Sequence, residues 1–300
     1  MFRTKVLVGL MFIMLGAAWP AGAQGVPPPQ VSWEEDLEKL SEGKKALQLE
    51  GGAGVSFNLI KLGEYHFGWK LTVSYRGVAV KVLEGGLFTS VARIESGPLL
   101  YWVIGEYTGG AHCCGVYHFL VREDPARPVR YLGKTAGHNA GPLPLGEAIV
   151  YRGGQIYFID WDNRFDYFHA SHAECRLVNL ARTHYRLTPE GLKLANEPFR
   201  DIYLEEAARM DQDIKEEAAK RPTRPAAILV TGYSEKYDEL KFSDALGQML
   251  VARTLFYLYA REEGKARETF EQDVRRYYQT SRWAKELYQE VREALEPGTY

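Results

Sequence analysis

The chain has 300 residues, 46% of them hydrophobic and 25% charged, with a formal net charge of −2, an ordinary composition for one large or two modest globular domains. The near balance of charge and the lack of a basic stripe exclude a general attraction for nucleic acid or an anionic membrane surface. Aromatics make up 13%, with 19 tyrosines, and these suit sheet faces as packing groups before ligand platforms.

Residues 1–23 have the three parts of a secretory signal peptide. Arg3 and Lys5 supply a positive start, residues 6–15 an apolar run, and Ala21-Gly22-Ala23 a small-x-small cleavage site. The run is shorter than the roughly 20 residues that cross a bilayer, and Gly9, Gly16 and Pro20 interrupt or close it. No cysteine stands near the cleavage site to carry a lipid. The mature chain is expected to begin near Gln24, to be secreted or periplasmic, and to have no membrane span. Residues 24–53 read as a linker with room for a short helix.

Residues 54–198 read as a β-rich domain. Short alternating or apolar runs at 55–61, 67–75, 78–83, 87–94, 99–106, 116–122, 129–132, 148–151, 155–161 and 185–187 are separated by Gly, Pro and Asn. Tyr75-Arg76-Gly77 and Arg152-Gly153-Gly154 have hairpin-turn character. So many short strands at similar spacing point to an antiparallel sandwich, a barrel or a partial propeller. The absence of a clean internal period counts against a full propeller.

Residues 199–300 read as a helical C-terminal region, giving an α+β chain. Ala207, Met210, Ile214 and Ala218 fall on one face, and Pro222 and Pro225 end that segment. Residues 226–230 are a short apolar run. Ser243 is placed to cap a helix over 245–260 that is apolar on nearly every side, broken by Gln248, Arg253 and Thr254. That pattern predicts a central helix buried by neighbours, with Gly264 as its C-terminal cap. Phe270, Val274, Tyr277 and Tyr278 mark a further stripe. Trp283, Leu287, Val291 and Leu295 mark another behind Ser281.

Between the runs at 99–106 and 116–122 stands Gly109-Gly110-Ala111-His112-Cys113-Cys114, which holds two of the three cysteines beside a histidine. Thiols outside the cytoplasm tend to oxidise, so Cys113, Cys114 and Cys175 are disulfide candidates first, with one thiol left over. A pairing of Cys175 with either neighbour closes about 60 residues, worth at most roughly 4 kcal/mol in the chain-entropy model.

The run Tyr107-Thr108-Gly109-Gly110-Ala111-His112-Cys113-Cys114, with Tyr117 in the strand after it, resembles a group of uncharacterised exported bacterial proteins with a Gly-Gly-Ala-His-Cys-Cys signature. Asp162-Asn163-Arg164-Phe165-Asp166-Tyr167, followed by Ala173 and Cys175, is similar to their aspartate–Arg-Phe-x-Tyr segment. The resemblance spans roughly residues 55–200 and implies a folded exported domain, without a mechanism. Two positions depart from the group. Cys175 stands where relatives usually have a small residue, which makes a Cys114–Cys175 bridge particular to this chain. Asn163 stands where their Asp-x-Asp-Gly-like stretch has glycine.

Three chemistries compete with a purely structural loop. His112, Cys113, Cys114 and His118, meeting His172 and Cys175 (with His169 beside them), would make a Cys/His zinc site, although the spacing matches no recognised zinc motif. Asp160, Asp162 and Asp166 offer hard oxygens for calcium, without the glycine of an EF-hand loop and with Arg164 among them; pairing with Arg164 or capping a turn is the plainer role. Cys113 or Cys114 with His112, His118 or His172 would form a thiolate–imidazole couple, which must stay reduced to work. No Cys-x-x-Cys, Gly-x-Ser-x-Gly, phosphate loop or His-Glu-x-x-His is present. The expectation is a binding or structural module of the cell envelope, its loop fixed by disulfide or metal, that engages a protein or small ligand. A Cys/His enzyme or a zinc-site protein is the alternative.

Overall fold

Three successive stretches of the chain pair with themselves as antiparallel strands, two of the hairpins closing through two-residue turns at 76–77 and 153–154. A computed structural model describes residues 30–36, 45–48, 55–61, 68–109, 115–137, 143–165, 181–220, 245–278 and 284–296. Strand β1 (Gln30–Asp36) leaves its sequence neighbours to join the second sheet. The first sheet is β2 (Lys45–Gln48), β3 (Val55–Lys61), β4 (Trp69–Tyr75) and β5 (Val78–Gly85). The second takes β6 (Leu87–Ser96), β7 (Leu99–Tyr107), β8 (Gly115–Arg122) and β9 (Arg130–Lys134), with β1 along β6. After a short helix α1 (Leu145–Ala148) come β10 (Ile149–Arg152), β11 (Gln155–Trp161), β12 (Arg182–Thr188) and β13 (Gly191–Leu194), the third sheet. The two hairpin turns expected from sequence are present. Arg76-Gly77 and Gly153-Gly154 all have positive φ, between 50° and 77°, as a two-residue type I′ turn requires.

The second sheet is central because both of its faces are apolar. On one side Phe88, Val91, Trp102, Ile104 and Leu120 pack on Leu71, Val73 and Leu83 of the first sheet. On the other, Ala92, Ile94, Tyr101, Val103, Phe119 and Val121 pack on Ile149, Ile156, Phe158 and Leu187 of the third. A bulge between Phe88 and Ser90 lets Phe88 and Val91, three residues apart, share a face. A two-sheet sandwich and a closed barrel do not describe three stacked meanders. Of the expected forms, the partial propeller comes nearest.

The outer face of the third sheet carries the helices. Tyr157 of β11 and Phe165 share a core with α2 (Arg200–Ala219), α3 (Ala245–Tyr259), α4 (Glu263–Tyr278) and α5 (Ala284–Ala294). The expected stripes hold: Ala207, Met210 and Ile214 of α2, Phe270, Val274 and Tyr278 of α4, and Leu287 and Val291 of α5 are buried. As the pattern of α3 predicts, Gln248, Arg253 and Thr254 are buried along with its apolar residues. No helix among the described residues is long and apolar enough to cross a membrane.

Two expectations need correction. The segment 24–53 is more than a linker, since it supplies β1 and β2. Both are edge strands, and in β1 the sequence run Glu34-Glu35-Asp36 breaks the apolar alternation that would have marked it. Gly264 does not cap α3 but lies in the first turn of α4. The left-handed residue is Arg261, at φ 61°. Around it, Glu262 N–H bonds Tyr257 O at 2.8 Å and Arg261 N–H bonds Leu258 O at 3.0 Å, the paired closure of a Schellman motif. The signal peptide, the proposed cap Ser243, the prolines Pro222 and Pro225, the run 226–230, and Ser281 with Trp283 lie outside the described residues.

Candidate functional site

Strands β7 and β8 pair from Leu100↔Arg122 to Tyr107↔Gly115, so residues 108–114 connect their ends. Of the expected site residues, His118 is described. His112, Cys113, Cys114, His169, His172 and Cys175 lie outside the described residues, as does Asp166.

His118 is a core residue, 3% exposed, two positions along β8 from the partner of Glu106. Side chains at Glu106, Ile104, Val116 and His118 share one face by strand alternation and register. The diagonal this creates brings His118 Nε2 to 2.7 Å from Glu106 Oε2, while Nδ1 lies 3.0 Å from the Tyr131 hydroxyl on β9. Glu106, 5% exposed, also accepts the Gly86 N–H at Oε1, at 2.9 Å. Burial pushes the Glu106 carboxyl up. Hydrogen bonds from His118 and Gly86, with the nearby charge of Lys134, outweigh that and hold it below its ordinary value. An ionised carboxylate only accepts, so Nε2 carries the hydrogen, and Nδ1 shares a hydrogen bond with the Tyr131 hydroxyl. Both ring nitrogens are therefore engaged. To ligate a metal or to take a proton from a thiol, His118 would have to give up one of these partners.

Sequence reasoning did not single out Glu106, Tyr131, Gly85 or Gly86. A β-carbon on Gly85 would fall 1.8 Å from Glu106 Oε1, and one on Gly86 would fall 2.0 Å from Tyr107 O and 2.6 Å from Thr108 Cα. Glycines are required there so that the β5–β6 turn can lie against the Glu106 carboxylate and the start of the 108–114 connection. The signal available was a glutamate near the end of one apolar strand and a histidine inside the next, since isolated charges in such strands need each other.

The second motif forms an ion pair. Arg164 donates to both oxygens of Asp162, Nε to Oδ1 at 2.7 Å and Nη2 to Oδ2 at 2.6 Å, and Nη1 reaches Leu295 O at 2.9 Å. The Tyr259 hydroxyl also donates to Asp162 Oδ2. Burial and the Asp162 carboxylate both push the Tyr259 hydroxyl far above its ordinary range. Asp160 Oδ1 accepts the Trp161 N–H at 2.9 Å. Asp162 is thus held by Arg164 and Tyr259, the plainer role named for it. No group of three metal-ligating side chains occurs among the described residues.

Two other places carry polar chemistry. His184, also missed in sequence, stacks on Phe199 with ring centroids 3.6 Å apart and bonds the Tyr203 hydroxyl through Nδ1 at 2.6 Å. Burial, then Arg152 and Arg182, pushes its pKa down to about 3. A cleft of about 430 Å³ between α4 and α5 is lined by Glu263, Arg267, Lys285, Tyr288, Arg292 and Glu296, among others. Part of its charge is matched: Arg292 pairs with Glu263 within the cleft at 3.1 Å, and Arg267 with Glu271 along α4 at 2.8 Å.

Comparison with protein-family models, with curated proteins and with solved structures finds no match. The chemistry of these residues is what bears on function.

Proposed function

We propose that this chain is an exported binding or structural module of the cell envelope. Its 108–114 loop, fixed by disulfide or metal, meets a protein or small ligand. The observation that carries this reading is the engagement of both His118 ring nitrogens by Glu106 and Tyr131. The imidazole nearest the cysteines within the strands serves the core, which favours a disulfide over a His118-containing zinc site and over a Cys–His118 catalytic couple. Export rests on the tripartite pattern of residues 1–23 and accounts for oxidised cysteines.

Native mass spectrometry of protein made in an oxidising compartment tests this, before and after denaturation and reduction. A gain of about 2 Da on reduction, with no metal lost on denaturation, supports a disulfide-fixed loop. Loss of one stoichiometric zinc mass supports a metal-fixed loop. Three free thiols and no metal overturn the reading and bring the Cys/His enzyme forward.

A further inference from the structure

We propose that the cleft between α4 and α5 binds a small organic carboxylate. Its walls are the facing stripes of the two helices: Glu263, Gly264 and Arg267 of α4, and Lys285, Tyr288 and Arg292 of α5. The spacings of three, four and seven residues put each set on one helix face. Tyr288, 6% exposed, forms the floor, and its hydroxyl donates to Glu263 O at 3.4 Å, which holds the start of α4 against α5. The volume of about 430 Å³ is in the range that takes a small ligand.

The donors exceed what the protein itself accepts. Arg267 and Arg292 each commit only Nε, to Glu271 at 2.8 Å and to Glu263 at 3.1 Å, and their terminal nitrogens have no acceptor among the described residues. Burial and the Glu263 carboxylate raise the Tyr288 pKa, while the charges of Arg292 and Arg267 oppose that rise, so both guanidiniums stand close to the floor. Lys285 lines the cleft and forms no ion pair among the described residues. Ala266 N–H is the first of α4 to bond back along the helix, to Glu262 O at 2.8 Å, so the N–H groups of residues 263–265 have no acceptor within it. Gly264, one of these, lines the cleft, and a β-carbon there would meet nothing within 4 Å. Two guanidinium forks, an ammonium and the positive end of a 16-residue helix therefore share one space. Against them stand Glu263 and Glu296, and Glu263 is taken by Arg292. This balance suits one further negative charge. A planar carboxylate meets a guanidinium fork in two parallel bonds, whereas a phosphate dianion would be repelled by the two glutamates.

The test is an amide NMR titration of the full chain at low salt with three probes: N-acetylglycine, N-acetylglycinamide, which lacks the carboxylate, and inorganic phosphate. N-acetylglycine is expected to shift the Gly264 and Lys265 amides saturably, and N-acetylglycinamide to leave them in place. Lys285→Gln, which disturbs no ion pair, should raise the Kd about three- to tenfold, the share of one partly exposed charge-assisted bond. Arg267→Gln should do the same. Lys215→Gln, at an exposed position of α2, makes the same change in net charge and should leave the Kd as it is. Absence of saturation with N-acetylglycine overturns the proposal. So does saturation by N-acetylglycinamide, tighter saturation by phosphate, or one common Kd for the Lys285→Gln, Arg267→Gln and Lys215→Gln variants. The cysteines do not enter this titration, so its failure leaves the reading of the 108–114 loop standing.

Discussion

Arg164 grips Asp162 through both carboxylate oxygens, and the residue between them is all that separates the pair in sequence. The same carboxylate takes the Tyr259 hydroxyl from α3, and Arg164 takes the carbonyl of Leu295 just beyond α5. A local pair at the end of the third sheet thus ties that sheet to two helices. The side chain of Asp162 is only 2% exposed and that of Arg164 23%.

Removing the acid therefore strands a cation. Asp162→Ala is expected to cost about 3–5 kcal/mol, since breaking a buried pair leaves its partner uncompensated. Tyr259→Phe, which removes one hydroxyl bond to a charged acceptor, should cost about 1.5–3 kcal/mol. Urea unfolding of both variants checks the order. Equal, small losses would mean that the pair does not join the sheet to the helices.

Gly86 gives a steric test of the β5–β6 turn against the end of β7. Gly86→Ala drives a β-carbon against the backbone at Tyr107 and Thr108, so the strand end must move, at about 1–3 kcal/mol or more. Gly146→Ala in α1 meets nothing within 4 Å and should be neutral or slightly stabilising. Thermal melts of the two variants against wild type separate close approach from a general intolerance of alanine for glycine.

Much of the fold was legible because its strands announce themselves by alternation and by turn chemistry. The runs 55–61 and 155–161 match β3 and β11 end to end, and Gly153-Gly154 marks its own turn. Strands β1, β2 and β13 were not legible. They are edge strands, where one paired side suffices and charge is tolerated. The stacking order was hidden too, because β7 and β8 are buried on both faces and an apolar run does not say which sheet covers which side. At the site, the sequence singled out His118 as a candidate ligand or base, and the structure gives it two core partners instead. The sequence did not identify Glu106, because the diagonal between the two depends on the β7–β8 register, which follows from the length of the connection.

His184 makes acid stability predictable in sign. Its folded pKa lies near 3, below the ordinary value of about 6.5. The unfolded chain therefore binds a proton that the folded chain refuses between those values. Stability from this group is complete above about pH 6.5 and falls as pH drops, by up to about 1.4 kcal/mol per unit, until the folded pKa is reached. His184→Phe keeps the stack on Phe199 and cannot titrate, so its unfolding free energy should fall less steeply between pH 6.5 and 4. Glu106, held low, adds its own loss only below its ordinary value of 4.5, so the difference between the two proteins above that pH reports on His184. Parallel slopes for variant and wild type between pH 6.5 and 5 would show that His184 protonates freely in the folded state.

Arg253 explains how a helix as apolar as α3 keeps a single position among its neighbours. Its side chain is 4% exposed, with Nη1 2.7 Å from Asp211 of α2 and Nη2 2.8 Å from Asp273 of α4. The second approach lacks hydrogen-bond alignment, so the attraction there is electrostatic and undirected. Arg253→Ala removes the cation and its packing, and leaves Asp273, whose side chain is 17% exposed, without its partner; a loss of about 3–5 kcal/mol is expected. Arg253→Met combined with Asp211→Asn and Asp273→Asn removes all three charges while filling the space. An apolar replacement of a buried ion cluster is often neutral or stabilising, so the triple variant should recover most of the single variant's loss in urea unfolding. Should it recover stability yet broaden the amide spectrum of α2 to α4 by NMR, the arginine serves to fix helix register. If it stays as unstable as Arg253→Ala with sharp signals, the ion cluster itself holds the bundle together.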